Sequence, residues 1–251
     1  MTESRAMKPI LFALACLLPG VAVAQDVTVF AAASLKEPLD EIARLTPGVT
    51  VSYGGSGTLA RQVLQGAPAD LVFLAHPDWM DALEEAESLV TGSRTAVLSN
   101  EIVLVGPAAA ADVALTPEGL TDALGPDGRL AIGLTRSVPA GIYGREALVS
   151  LGLWDTVRDR LAEVDNVRAA LALAARGEVP LALIYTTDAR VEPTLRTVAR
   201  LPSDSHAPIL YEAAVVAGGN EAAATEVLQK LLGPEARIAF EGAGFVPPPS
   251  R

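Results

Sequence analysis

A regular alternation of two patterns constrains this chain more than any other feature. Apolar strand-like runs alternate with segments whose apolar residues recur at helical spacing. Residues 27–32 read as a strand, and Leu35, Leu39 and Ile42 then fall on one helical face. Residues 49–53 give a second strand, with a helix marked by Leu59, Val63 and Leu64 and closed by Gly66. The pattern continues with a strand at 71–75 and a helix at 79–89. After a break at Pro107 and an alanine run, it resumes with a strand at 130–134, helices at 139–148 and 166–175, and a strand at 181–185. Helices at 222–232 and 235–241 close the chain. Strands that alternate with helices predict parallel sheets and the α/β class. Two longer extended stretches, 97–105 and 208–217, depart from the pattern. By pattern alone they fit two crossings between lobes, or two ordinary strands of a single sheet.

The amino terminus has a different character. Arg5 and Lys8 precede an apolar stretch from residue 10 to 18, and Ala22-Val23-Ala24 then offers a small-x-small cleavage site. This is the three-part pattern of a secretory signal peptide over residues 1–24, too short for a membrane span. Cys16, the single cysteine, lies inside it. Its setting, Ala13-Leu14-Ala15-Cys16 followed by Leu17-Leu18, is a poor lipid-acceptor context. Cleavage after Ala24 leaves a chain without cysteine, independent of disulfides. The net charge of −11 becomes more negative once Glu3, Arg5 and Lys8 are removed. Such a chain is unsuited to nucleic acid or an anionic membrane surface. Any anion that it binds must be held by local dipoles against an adverse overall field.

Two serines stand where strands turn into helices: Ser34 in Ala31-Ala32-Ala33-Ser34-Leu35, and Ser56 in Gly54-Gly55-Ser56-Gly57-Thr58. A helix start leaves free backbone N–H groups, and beside a hydroxyl these can hold an anion. Each serine also has a plain reading. Ser34-Leu35-Lys36-Glu37 has the spacing of a capping box, with Pro38 in the first turn. Ser56 fits a glycine turn before a helix. It is not a nucleophile elbow, because Thr58 stands where a glycine is needed, and no P-loop Gly-Lys follows. Val138-Pro139-Ala140-Gly141 marks another helix start, and Asp165-Asn166-Val167-Arg168 a further one with Asn166 as its cap. Tyr185 ends an apolar strand, where its hydroxyl meets a crevice or packs in the core. His76 and His206 are far apart in sequence and read as solvated loop residues, which speaks against a metal site or a Ser–His–Asp triad. The acidic run 81–87 reads as a solvated helix face.

Taken together, these stretches resemble the periplasmic molybdate-binding proteins that feed ATP-driven importers. The resemblance is carried by Ala-Ala-Ala-Ser-Leu at 31–35, Gly55-Ser56-Gly57-Thr58-Leu59-Ala60-Arg61-Gln62, Gly66-Ala67-Pro68-Ala69-Asp70-Leu71, Trp79-Met80-Asp81, Val138-Pro139-Ala140-Gly141 and Ile184-Tyr185-Thr186-Thr187-Asp188-Ala189. It implies a two-lobed periplasmic-binding-protein fold of type II, with the ligand in a cleft between lobes joined by two extended crossings. Lobe I would hold 25–104 plus 210–251, and lobe II 105–209. It also implies the ligand contacts: Ser34 and Ser56 through hydroxyls, Ser34 also through its N–H, Ala140 and Val167 through backbone N–H groups, and Tyr185 through its phenol. The implied ligand is molybdate or tungstate, so molybdenum would be held only as the oxyanion, through these residues. The implied partner is the membrane permease of an ABC importer, served by a periplasmic monomer with no cofactor and no catalytic residue. One departure is Leu134-Thr135-Arg136-Ser137, which puts Arg136 near the expected cleft. A receptor for sulfate or another tetrahedral oxyanion is the nearest alternative, and an exported serine hydrolase a distant one.

Overall fold

The computed structural model describes residues 26–249, so the expected signal peptide and Cys16 lie outside the described residues. The chain runs β1 (Val27–Ala32), α1 (Lys36–Arg44), β2 (Val49–Gly54), α2 (Ser56–Leu64), β3 (Leu71–Leu74), α3 (Pro77–Glu85), β4 (Thr95–Leu98) and β5 (Ile102–Pro107). It continues with α4 (Pro117–Leu124), β6 (Leu130–Gly133), α5 (Pro139–Ser150), α6 (Trp154–Val157), β7 (Leu161–Val164), α7 (Val167–Ala175), β8 (Leu181–Tyr185) and α8 (Thr186–Arg190). It ends with β9 (Leu195–Arg200), β10 (Tyr211–Val215), α9 (Glu221–Leu231) and α10 (Pro234–Ala243).

The strands form two five-stranded sheets, ordered β2-β1-β3-β10-β4 and β7-β6-β8-β5-β9. In each, three strands are parallel, as the alternation with helices predicts. The fourth strand breaks the pattern: β10 is antiparallel to β3, and β5 antiparallel to β8. The reason is connectivity. β5 is the first strand after the chain leaves the first sheet, and β10 the first after it returns. Each enters its sheet from the cleft side, so it runs opposite to strands that end there. The stretch 97–105 is therefore not one strand but the end of β4, a crossing and the start of β5.

Each sheet is buried by its helices. The strands β3, β6, β8 and β10 are apolar and buried along their whole length apart from one acid, Glu212. That acid is buried on an interior strand of the first sheet and needs a partner. Arg94 supplies it, with Nε at 3.0 Å and Nη2 at 2.7 Å from Glu212 Oε2. The same guanidinium reaches Asp81 and Glu84 of α3, which ties that helix to the sheet. The acidic run is thus only partly a solvated face.

Arg94→Ala should lower the unfolding free energy by about 3–5 kcal/mol, because it leaves a buried carboxylate uncompensated. Urea unfolding followed by circular dichroism measures this.

Candidate functional site

The parallel strands of both sheets point their carboxyl ends at the gap between the lobes, the usual place for a ligand in an α/β protein. Ser34 follows β1, Ser56 follows β2, Ala140 follows β6, Val167 follows β7, and Tyr185 ends β8. All five line one cavity of at most about 210 Å³, below the usual range for an organic ligand. The elements that bring them together come from both lobes.

On the first lobe, the capping-box reading of Ser34 is corrected. Ser34 sits in a short 3-10 turn, Ala33–Leu35, and makes no cap bond to α1. Its Oγ instead lies 2.9 Å from Tyr211 Oη. Tyr211 Oη also accepts from Asn100 Nδ2 at 3.3 Å, so Ser34, Tyr211 and Asn100 form one buried chain of hydrogen bonds in which either hydroxyl can donate to the other. For Ser56, Ala75 N–H donates to its Oγ at 3.1 Å, leaving its proton free. The Ser56 hydroxyl is thereby set as a donor toward the cavity, and the Ser34 hydroxyl takes the same role when Tyr211 donates to it.

The helix starts supply the rest. Neither α2 nor α5 has a side-chain cap, their N-cap residues being Gly55 and Val138. Pro139, as the first residue of α5, has no N–H to place, so Ala140 offers the first amide. On α7, Asn166 Oδ1 caps the amide of Ala169 at 2.9 Å and leaves that of Val167 unclaimed. Buried helix starts without caps need an acceptor from elsewhere. Tyr185 Oη is buried and has no protein partner. Burial pushes its pKa well above the ordinary tyrosine value, so it remains a donor.

Behind these donors lies a neutralised set of charges. Asp188 is buried and accepts from Tyr185 N–H at 3.3 Å and from Arg168 Nε at 2.5 Å. Burial pushes its carboxyl up to about 6 against the opposing pull of Arg168. No charged side chain lines the cavity itself. Arg136 is exposed and does not reach it, because Thr135 beside it is pinned to Glu163 by two bonds of 2.7 Å. A tight shell of neutral donors without a carboxylate suits a compact, fully deprotonated anion.

The amino-acid sequence matches the bacterial extracellular solute-binding protein family over residues 27–246. The chain belongs to that family. It is 41% identical over 242 residues to the molybdate-binding protein ModA of Escherichia coli (strain K12), covering 93% of this chain and 94% of that one. It is 40% identical over 232 residues to the ModA protein of Haemophilus influenzae, covering 89% and 91%. Its fold is that of the Azotobacter vinelandii periplasmic molybdate-binding protein, with a TM-score of 0.74 at 24% identity, covering 89% of this chain and 100% of the other. Among the described residues of this solute-binding protein, no helix is long and apolar enough to cross a membrane. No group of three or more His, Cys, Asp or Glu among them could hold a metal ion.

The histidines differ from expectation. His76 is buried, not solvated: its Nδ1 caps α3 by accepting from Asp78 N–H at 3.3 Å. Its ring lies 4.7 Å from that of Tyr143, which in turn lies 5.8 Å from that of His206. The two residues are thus close in space, though far apart in sequence. Neither lines the cavity, so neither serine has an imidazole base beside it. The buried face of His76 favours the neutral ring, and its pKa is lowered accordingly.

The glycines that flank Ser56 lie where the two lobes meet. Gly55 has an ordinary extended backbone, φ −69° and ψ 132°, so no unusual angle requires it. A Cβ on Gly57 would stand 2.5 Å from the Ser137 carbonyl oxygen of the other lobe, and one on Gly55 closer still to that of Asp165. These glycines let the two lobes meet. Every atom that a Cβ on Gly55 would meet belongs to the other lobe, whereas one on Gly57 would also press on Trp79 of its own, so Gly55→Ala should leave the ligand-free protein within about 0.5–1 kcal/mol of the parent. The same change should weaken ligand binding about tenfold or more, a loss of about 1.4 kcal/mol. Thermal unfolding without ligand and calorimetric titration with it separate the two effects.

Proposed function

We propose that this protein captures molybdate between its lobes and delivers it to the membrane permease of an ATP-driven importer. The observation that carries this reading is the donor set. Two hydroxyls, two helix-start amides and a buried phenol converge on one small cavity lined by no charged side chain, where the amide oxygen of Asn166 is already taken by Ala169 N–H. The likeness to molybdate-binding proteins supports the choice of ion.

In this reading Ser34, Ser56 and Tyr185 donate through hydroxyls, and Ser34, Ala140 and Val167 through backbone N–H groups. Each bond to a dianion is charge-assisted and is worth roughly 1.5–3 kcal/mol. Together they replace the hydration shell without a counter-charge. An ion that keeps a proton, such as hydrogen phosphate, would press that proton against donors. Sulfate has the right charge but is smaller, so donors fixed for the larger ion stand too far from it. Tungstate shares the size and shape of molybdate and is accepted with it.

The mature chain begins after Ala24 and works in the periplasm as a monomer. In this reading the lobes are 26–98 with 211–249 and 102–200, joined at 99–101 and 201–210, so the expected first boundary at 104/105 moves back out of β5. Closure is a hinge motion at 99–101 and 201–210 that the permease reads.

Calorimetric titration of the ligand-free protein with molybdate, tungstate, sulfate and phosphate tests the ligand. Heat and thermal stabilisation should come from the first two. A response to sulfate with none to molybdate would replace the ligand by the smaller ion. Ser56→Ala should weaken molybdate binding by at least about tenfold, the loss of one charge-assisted bond. An unchanged affinity removes Ser56 from the contact shell. Because Tyr185 stays protonated, affinity should be flat from about pH 7 to about pH 9. A midpoint inside that window would reveal a titrating group in the cage.

A further inference from the structure

The residue that follows Val167 makes contacts that cap no helix and touch no ligand donor through its side chain. Arg168, the second residue of α7, extends its guanidinium in two directions. Nε bonds the buried Asp188 of its own lobe at 2.5 Å. Nη1 and Nη2 form a fork on Glu37 of the opposite lobe, at 2.7 Å and 2.5 Å from its two carboxylate oxygens. Glu37 lies in the first turn of α1, three residues after Ser34. It is the residue that the capping-box spacing assigns to Ser34. With Ser34 bonded to Tyr211 instead, the Glu37 carboxylate is free to cross the gap between the lobes.

We propose that Glu37 is a positioning residue of the anion site: through Arg168 it locks the Val167 and Tyr185 donors of one lobe onto the serine donors of the other. It thereby sets how long the anion stays. The proposal rests on the oxyanion reading above. Its geometry is asymmetric. The Asp188 arm lies within one lobe and persists when the lobes part. It holds Arg168 directly beside the Val167 amide, and the other oxygen of Asp188 holds the Tyr185 amide. The Glu37 arm spans both lobes and exists only when they are closed. The fork is bidentate, the arrangement that fixes two carboxylate oxygens against one planar guanidinium.

Partial burial makes this pair more than a surface contact. The Arg168 side chain is 20% exposed and that of Glu37 43%. Desolvation works to raise the Glu37 carboxyl, but the bond and the charge of Arg168 outweigh it and hold it below its ordinary value. Lys36 adds a smaller pull in the same direction. A pair of this kind forms late in closure and breaks first in opening, so its weight falls on the release step.

Stopped-flow measurement of molybdate binding, read by the tryptophans, tests the proposal in the parent protein, Glu37→Gln and Glu37→Asp. Trp79 packs beside Gly57 near the contact between lobes and reports closure. Glu37→Gln should raise the dissociation rate about tenfold and leave the association rate within about twofold. In the parent the dissociation rate should rise with salt, and in Glu37→Gln that dependence should vanish. Glu37→Asp, with its charge kept and its reach shortened, should fall between the two. Thermal unfolding of the ligand-free variants should match the parent, which separates positioning from folding. A parent-like dissociation rate and salt dependence in Glu37→Gln would overturn the proposal. If the parent ignores molybdate and binds another oxyanion, the ligand reading fails, and the same rate comparison with that oxyanion decides the role of Glu37.

Discussion

A backbone N–H buried at a helix start must find an acceptor, and the first turn of the helix cannot supply one. The site is built on this constraint. Gly55 and Val138 have no side-chain oxygen to offer as caps, and Asn166 caps a later amide than that of Val167. These choices look unfavourable for each helix alone. They become intelligible only once the helices are seen to face one another across a cavity, where a single dianion can accept from all of them. Ser56 follows the same logic, because it accepts one bond from the protein and so presents a proton rather than a lone pair, and Ser34 does the same when Tyr211 donates to it.

The parts of this design differ in how far they can be read from sequence. The interior parallel strands were legible because they are buried on both faces, and residues 27–32 and 181–185 match β1 and β8. The edge strands β7 and β9 were not, because they are half-exposed and carry Glu163, Arg196 and Arg200 among their apolar residues. α4 had a readable start in Thr116-Pro117, where the Thr116 side chain caps Gly119, but the preceding alanine run obscured it. The candidate contacts were legible as strand ends and helix starts. Their convergence was not, since pattern says nothing of how two lobes face each other. The partners that orient them, Ala75 for Ser56 and Tyr211 for Ser34, lie 19 and 177 residues away in sequence and carry no local signal.

Tyr211 and Asn100 also join the site to the segments that link the lobes. Asn100 stands in the first crossing and Tyr211 at the end of the second. The Asn100 amide donates to Tyr211 and, at 2.8 Å, to Thr187 of α8, while its oxygen accepts from Glu101 N–H at 2.9 Å. One buried amide therefore touches the first lobe through Tyr211 and Ser34, and the second through Thr187. The hinge and the anion site share hydrogen bonds, so a change at one is felt at the other.

The strand order has a consequence for how the chain is made. In the first sheet β4 pairs only with β10, which lies between it and β3. The second sheet is drawn entirely from residues 102–200 and can be completed as soon as these have emerged. The first sheet cannot. It waits for residues 211–215 with the place between β3 and β4 vacant, so the half of the molecule that is begun first is finished last. A chain of this topology remains incompletely folded until almost all of it has been synthesised, whatever the strength of its local signals.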